Sequence, residues 1–125
     1  MKSQTSTELR ENRARLIRIY RKYFDQIASG KKTIEVRVGW SSMRKIEPGQ
    51  LLRFVCQDDS CLTRVVAVRE YGSFAELLEK ENPERVNPGK TSSEQLVELR
   101  QIFPKDKEEL GVLAIEIEIE RSNQS

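Results

Sequence analysis

Ser29-Gly30-Lys31-Lys32-Thr33-Ile34-Glu35-Val36-Arg37-Val38 is the stretch on which the fold turns. A glycine suited to ending a helix is followed by two lysines and then by alternating polar and apolar residues. Read as a strand, a period of two places Thr33, Glu35 and Arg37 on one face and Ile34, Val36 and Val38 on the other. The apolar face builds core. The polar face sets a hydroxyl, a carboxylate and a guanidinium beside Lys31 and Lys32, and three readings of it stay open. It lines a binding or catalytic cleft; or it is a solvated face on which Glu35 and Arg37 pair with neighbours; or Glu35 and Arg37 form a buried pair that fixes the sheet while both lysines sit exposed at the turn.

Upstream of this stretch, residues 1–14 are polar and unpatterned and are expected to be a flexible tail. Residues 15–20 have the β-branched and aromatic content of a strand, and Tyr23-Phe24-Asp25-Gln26-Ile27-Ala28 fits a short helix stopped by Gly30. Downstream, Met43 and Ile46 stand at helical spacing in a connection, and Glu47-Pro48-Gly49-Gln50 is a turn with proline at its second position. Residues 51–56 and 62–69 then read as a hairpin around a loop at 57–60. Two helices follow, each with its own start signal, the first a capping box. Ser73-Phe74-Ala75-Glu76 opens a helix with Phe74, Leu77 and Leu78 inward, and Thr91-Ser92-Ser93-Glu94 opens another with Leu96, Leu99 and Phe103, ended by Pro104. Residues 82–90 between them read as a loop carrying Glu84, Arg85 and Lys90. After Gly111, Leu113, Ile115, Ile117 and Ile119 alternate with Glu116, Glu118 and Glu120, the clearest half-buried strand in the chain. The pattern is α+β, with about five strands and three helices in a mainly antiparallel sheet or small barrel. One domain over residues 15–120 is expected, with a short tail at 121–125.

Composition narrows the chemistry. With 34% charged residues and no apolar run near the ~20 residues of a membrane span, a soluble, cytoplasmic protein without a membrane partner is expected. The first residues, Met1-Lys2-Ser3-Gln4-Thr5, lack the apolar stretch of a secretory signal. Cys56 and Cys61 flank the hairpin loop, but two thiols in a chain without histidine do not complete a usual zinc site, so free thiols and no metal or cofactor are expected. The missing histidine also excludes Ser-His-Asp, Cys-His and histidine-based ribonuclease mechanisms. A general base must then be a lysine, a carboxylate, a tyrosine or a thiolate. The net charge of +2 hides an asymmetry: residues 1–60 carry +6 and residues 61–125 carry −4. In the basic half, cations are interleaved with Tyr20, Tyr23 and Trp40, a mixture that binds phosphates and stacks on bases. The plainer alternative is that these long stems cover apolar surface with their charges in water.

The stretch from Tyr23 through Gly30-Lys31-Lys32-Thr33-Ile34-Glu35-Val36-Arg37, then Ile46-Glu47-Pro48-Gly49, Tyr71-Gly72-Ser73-Phe74, and Phe103-Pro104 before Gly111-Val112-Leu113-Ala114-Ile115, resembles the ASCH domain. This is the activating signal cointegrator homology domain of the PUA-like superfamily. The resemblance implies a small, mainly antiparallel β-barrel of about five to six strands with about three helices packed around a cleft. It also implies RNA or a modified nucleoside as partner. In a binding protein of this kind, Lys31, Lys32, Arg37, Arg44 and Lys45 would contact phosphates while Trp40 or Tyr71 stacks a base. The family also contains small amidohydrolases that deacetylate 4-acetylcytidine with a lysine of this motif, a threonine three residues later, and a glutamate before the last helix. Lys32 matches that lysine, Glu35 stands in place of the threonine, and Glu84 is the candidate for the glutamate. An ion pair between Lys32 and Glu35 would keep the lysine protonated, which suits phosphate binding better than base catalysis. The expectation is therefore an RNA- or nucleotide-binding protein, with hydrolysis second. A metal-independent ribonuclease using Lys32 and Glu35 on a ribose 2′-hydroxyl is third.

Overall fold

A computed structural model describes residues 13–121 of the chain. The expected tails lie outside the described residues up to residue 12 and from residue 122 onward. Five strands, β1 (Arg15–Arg18), β2 (Ile34–Val38), β3 (Leu51–Cys56), β4 (Asp59–Tyr71) and β5 (Val112–Ile119), form one sheet in the order β1-β3-β4-β5-β2. The β1 and β3 pair is parallel and the other three pairs are antiparallel. β4 is long enough to pair with both β3 and β5, and a register shift between Val65 and Ala67 bends it. Such a bulge increases local twist, and the sheet curls into a half-barrel whose two open edges are β1 and β2.

The two faces of β5 enter two separate cores. Leu113, Ile115 and Ile117 pack with Ile17, Phe24, Ile27, Leu52 and Phe54. Val112 and Ala114 pack with Ile34, Val36, Val38, Phe74, Leu77, Val86 and Phe103. The first half of β5 is thus buried on both sides, and its alternation with glutamates begins only at Glu116. Phe54, Phe74 and Leu77 are fully buried, which stabilises the fold by about 1.5–3 kcal/mol each.

Five α-helices accompany the sheet: α1 (Arg21–Ala28), α2 (Phe74–Lys80), α3 (Pro83–Val86), α4 (Ser92–Ile102) and α5 (Lys105–Glu108). A single 3-10 turn spans Met43–Lys45. Both helix starts are capped: Ser73 Oγ accepts from the Glu76 N–H, although the Glu76 side chain accepts from the Gly72 N–H and so does not close the expected box, and Thr91 and Glu94 form a reciprocal capping box. Two helices were not expected. α3 lies in the segment read as a loop, started by Asn82, whose side chain accepts from the Glu84 N–H, with Pro83 in the first turn. α5 follows Pro104 directly. Each has four residues, too few to show an apolar period. The hairpin is also tighter than read, because Asp59 and Ser60 already pair with Cys56 and Val55, leaving Gln57 and Asp58 as the turn. Cys61 therefore faces Phe54, not Cys56, and both thiols are free. Among the described residues no helix is long and apolar enough to cross a membrane.

Candidate functional site

α1 ends at Ala28, and Gly30 at φ +81° reverses the chain so that the Lys31 and Lys32 N–H groups both donate to the Gln26 carbonyl. Thr33 precedes β2 and leaves its alternation. Its hydroxyl accepts from Arg85 Nε at 2.8 Å and lines a separate groove, so the expected grouping of Thr33 with Glu35 and Arg37 does not hold. Glu35 and Arg37 do share a face, that of their β5 partners Ile115 and Leu113, which belong to the first core. A carboxylate consequently sits 7% exposed beside hydrophobic packing.

Lys32 is buried with it, at 4% exposure. Its Nζ donates to the carbonyls of Ile34 at 2.6 Å and Val86 at 2.7 Å, and lies 3.3 Å from Glu35 Oε1. The three ammonium hydrogens thus have three acceptors. The other carboxylate oxygen, Oε2, is held by Arg37 Nε and Nη2, each at 2.8 Å. Arg37 Nη2 also donates to the Arg18 carbonyl at 3.2 Å, across the gap between the two edge strands. Burial pushes the Lys32 ammonium below its ordinary range, opposed by Glu35. Burial alone would raise the Glu35 carboxyl, but Arg37 and Lys32 together outweigh it and hold the acid below its usual range. Two cations and one anion share the site, and Arg37 Nη1 has no acceptor among the described residues.

α4 supplies the facing wall. Gln95, Glu98, Leu99 and Ile102 recur at the helical period and all line the same cleft of about 340 Å³, with Lys32, Glu35 and Arg37 opposite. Glu98 accepts from Lys22 Nζ at 3.1 Å, from Asn87 Nδ2 at 3.0 Å and from the Tyr23 hydroxyl. Burial raises the Tyr23 phenol, and its bond to Glu98 raises it further. For Glu98, burial acts upward and is outweighed by donation from Tyr23, Lys22 and Asn87, which keeps the carboxyl low. Ile19, Val86 and Phe103 make apolar walls, while exposed Arg18 and Tyr20 stand at the mouth.

Of the residues singled out in the sequence, Lys32, Glu35 and Arg37 converge here and the others do not. Lys31 and Lys45 are exposed outside the cleft. Arg44 makes two bonds to Glu70, at 2.5 and 2.9 Å, and donates to the carbonyls of Gly39 and Leu110, tying two loops together. Tyr71 donates to Glu81 at 2.5 Å and borders a different groove. Trp40 packs edge-on against Phe103 at 6.4 Å, on the far side of a cleft wall. Glu84 folds back on the Gly89 N–H at 3.3 Å and closes its own loop. That segment reaches the cleft instead through the Val86 carbonyl and Asn87. Sequence reasoning missed Glu98 and Gln95 as cleft residues, and it named Tyr20 only within the general mixture of cations and aromatics. A signal existed: a glutamine and a glutamate interrupting the apolar period of Leu99 and Ile102 on one helix face.

No curated protein matches this chain. Solved structures do, among them the following two. The crystal structure of hypothetical protein PH0355 is 36% identical, covering 84% of this chain and 97% of that one, with a TM-score of 0.77. The solution structure of protein PF0455 from Pyrococcus furiosus is 35% identical, covering 87% of this chain and 99% of that one, with a TM-score of 0.72. The ASCH domain family matches residues 17–121, from the middle of β1 to the end of the described chain, and so takes in every residue that lines the cleft. The chain belongs to the ASCH domain family.

Proposed function

We propose that the protein binds one nucleoside unit, free or as one residue of an RNA strand, in the cleft between the β1 and β2 edges. The observation that carries this reading is the convergence of Lys32, Glu35 and Arg37 in a cleft of about 340 Å³, within the size range of small-molecule sites. Apolar walls suit a base, Tyr20 at the mouth offers a stacking face, and Arg18 and Arg37 offer charge to a phosphate. Lys32 acts here as a fixed buried charge, since its ammonium hydrogens already have acceptors. The test is calorimetric titration with nucleosides and with short single-stranded RNA between about 50 and 200 mM salt. Nucleoside affinity is expected to change little. RNA affinity is expected to fall with a logarithmic slope of about −1.4, from the two phosphate contacts that Arg18 and Arg37 offer. Failure of both ligands to bind rejects the proposal.

One observation favours amide hydrolysis as a second reading: burial lowers the proton affinity of Lys32, which lies beside Glu35, and Glu98 adds a second carboxylate. A lysine base needs a free lone pair, however, and Nζ would have to give up one of its three acceptors to expose it. Acetate release from 4-acetylcytidine by the native protein, abolished in Glu35→Thr, would put hydrolysis first. Release that first appears in Glu35→Thr would instead mark the native chain as a binder.

A further inference from the structure

β1 and the two residues after it alternate in exposure: Ile17 is buried in the first core, while Leu16, Arg18 and Tyr20 are all exposed. Leu16 at 63% and Tyr20 at 67% are the two most exposed large apolar side chains among the described residues. An aliphatic and an aromatic side chain left bare in one row, on either side of an arginine, mark an interaction surface. β3 widens the row. In the parallel register Leu16 pairs with Arg53 and Arg18 with Val55, so Arg53 and Val55 share this face, and the β4 partners beyond them, Leu62 and Ser60, are uncharged. No Asp or Glu occurs from residue 13 to residue 20 or in β3. Among the described residues the Arg53 side chain bonds only to Ser60 Oγ, at 3.4 Å, and the Arg18 side chain has no acid partner. Their neighbours Arg21 and Lys22 are instead held by Asp25, Asp59 and Glu98. Two guanidinium groups without carboxylates thus stand among apolar side chains on a face that runs from Arg53 to Tyr20, and Arg18 and Tyr20 are also the mouth of the cleft.

We propose that the outer face of β1 and β3 carries a single RNA strand into the cleft, so that the nucleoside is taken as one residue of that strand and not free. The inference rests on the nucleoside-binding reading above and deepens it. A strand leaving the mouth meets one phosphate partner at Arg18 and the next at Arg53, diagonally across the β1 and β3 pair. Tyr20 offers a stacking face to a base and Leu16 an apolar one to the neighbouring base or its sugar, with no carboxylate along the row to repel the phosphates. None of these groups reads a base edge, so the face adds affinity and register without sequence preference.

The experiment is calorimetric titration of the native protein with nucleosides and with a mixed-sequence trinucleotide and hexanucleotide of single-stranded RNA. The hexanucleotide is expected to bind about fivefold or more tightly than the trinucleotide. Its logarithmic salt slope should steepen from about −1.4 to about −2.1, with Arg53 as a third phosphate contact beside Arg18 and Arg37. The second measurement uses Arg53→Gln, which lies outside the cleft, with thermal melting as the check on folding. In the folded variant the hexanucleotide slope should return to about −1.4 and the gain with length should be lost, while nucleoside affinity stays within about twofold of the native value. Arg53→Lys, which keeps the charge, should keep the gain; its loss there too would make the role of Arg53 one of packing and overturn the proposal. If trinucleotide and hexanucleotide bind the native protein with equal affinity and slope, the face carries no strand and the proposal is overturned while nucleoside binding stands. If the gain with length survives in folded Arg53→Gln, the strand runs elsewhere and the proposal is likewise overturned. Attachment to phosphatidylglycerol vesicles that Arg53→Gln abolishes, without any gain with RNA length, would assign the face to a membrane surface instead. If no nucleoside and no RNA binds, the reading of the cleft fails and this inference fails with it.

Discussion

Replacing Glu35 by glutamine isolates the charge that balances the cleft. Shape is almost unchanged, but the site goes from two cations and one anion to two cations alone. The new amide also carries two donors where the carboxylate offered only acceptors, so it opposes either Lys32 Nζ or the paired Arg37 nitrogens. Removing one partner from a buried ion pair costs about 3–5 kcal/mol, whereas an exposed pair costs under about 1 kcal/mol. The burial of Lys32 and Glu35 selects the larger figure. Against a total stability of about 5–15 kcal/mol, the loss is about a fifth or more and lowers the melting temperature by about 10–20 °C. Urea unfolding followed by the fluorescence of Trp40, the chain's single tryptophan, measures it. The pH dependence supplies a signature that a packing defect lacks. Without Glu35, the downward push of burial on Lys32 loses its main opponent, leaving Glu98 and the Ile34 and Val86 carbonyls against it. The folded lysine then releases its proton well below the unfolded value of about 10.4, and between those two values the unfolded state binds more protons. Stability therefore rises with pH in that window, and the deficit against the native protein should narrow from pH 7 toward pH 10. A melting temperature within about 2 °C of the parent, or a deficit that stays constant with pH, would refute the ionic account.

Arg37→Lys keeps the charge but loses the planar fork that grips Glu35 Oε2 with two nitrogens while reaching the Arg18 carbonyl; RNA affinity should fall about tenfold, and unchanged RNA affinity would sink the assigned role. Arg44→Met should lower the melting temperature by freeing the loops at Gly39 and Leu110, with nucleoside affinity unaltered; weaker binding at an unaltered melting temperature would return Arg44 to the ligand.

What the sequence made legible divides along physical lines. Strands and capped helices announce themselves locally, through alternation at residues 34–38 and 113–120 and through side chains that bond their own helix starts at Ser73 and Thr91. The single-turn helices over Pro83–Val86 and Lys105–Glu108 carry no period because they are shorter than one repeat of the pattern. For the site, local alternation found Glu35 and Arg37 but misassigned Thr33, since the residue before a strand is not bound to its pleat. Trp40, Arg44 and Tyr71 group with the cleft residues in sequence because basic and aromatic residues look alike there whether they line a cleft or pair elsewhere. Only tertiary pairing shows that Arg44 is engaged with Glu70 and Tyr71 with Glu81. Glu98 lies 63 positions from Glu35 in the chain, and no local pattern relates the two.

The location of the cleft follows from the way the barrel fails to close. β1 and β2 are edge strands that do not pair with each other, and open edges leave backbone groups in need of partners. The charged residues of the opening motif meet that need: Arg37 Nη2 donates to the Arg18 carbonyl on one edge, and Lys32 Nζ to the Ile34 carbonyl on the other. Glu35 then balances both cations, so the three charges are where they are because the seam has to be bridged by side chains. Apolar residues there would leave those carbonyls unpaired, which costs more than the packing they add. The same bridging holds the two edges apart, and the space between them is open to α4, whose polar face supplies Glu98 and Gln95. The seam is at once the structural problem of this sheet and the only place where backbone geometry, buried charge and an apolar wall meet around a space of nucleoside size among the described residues.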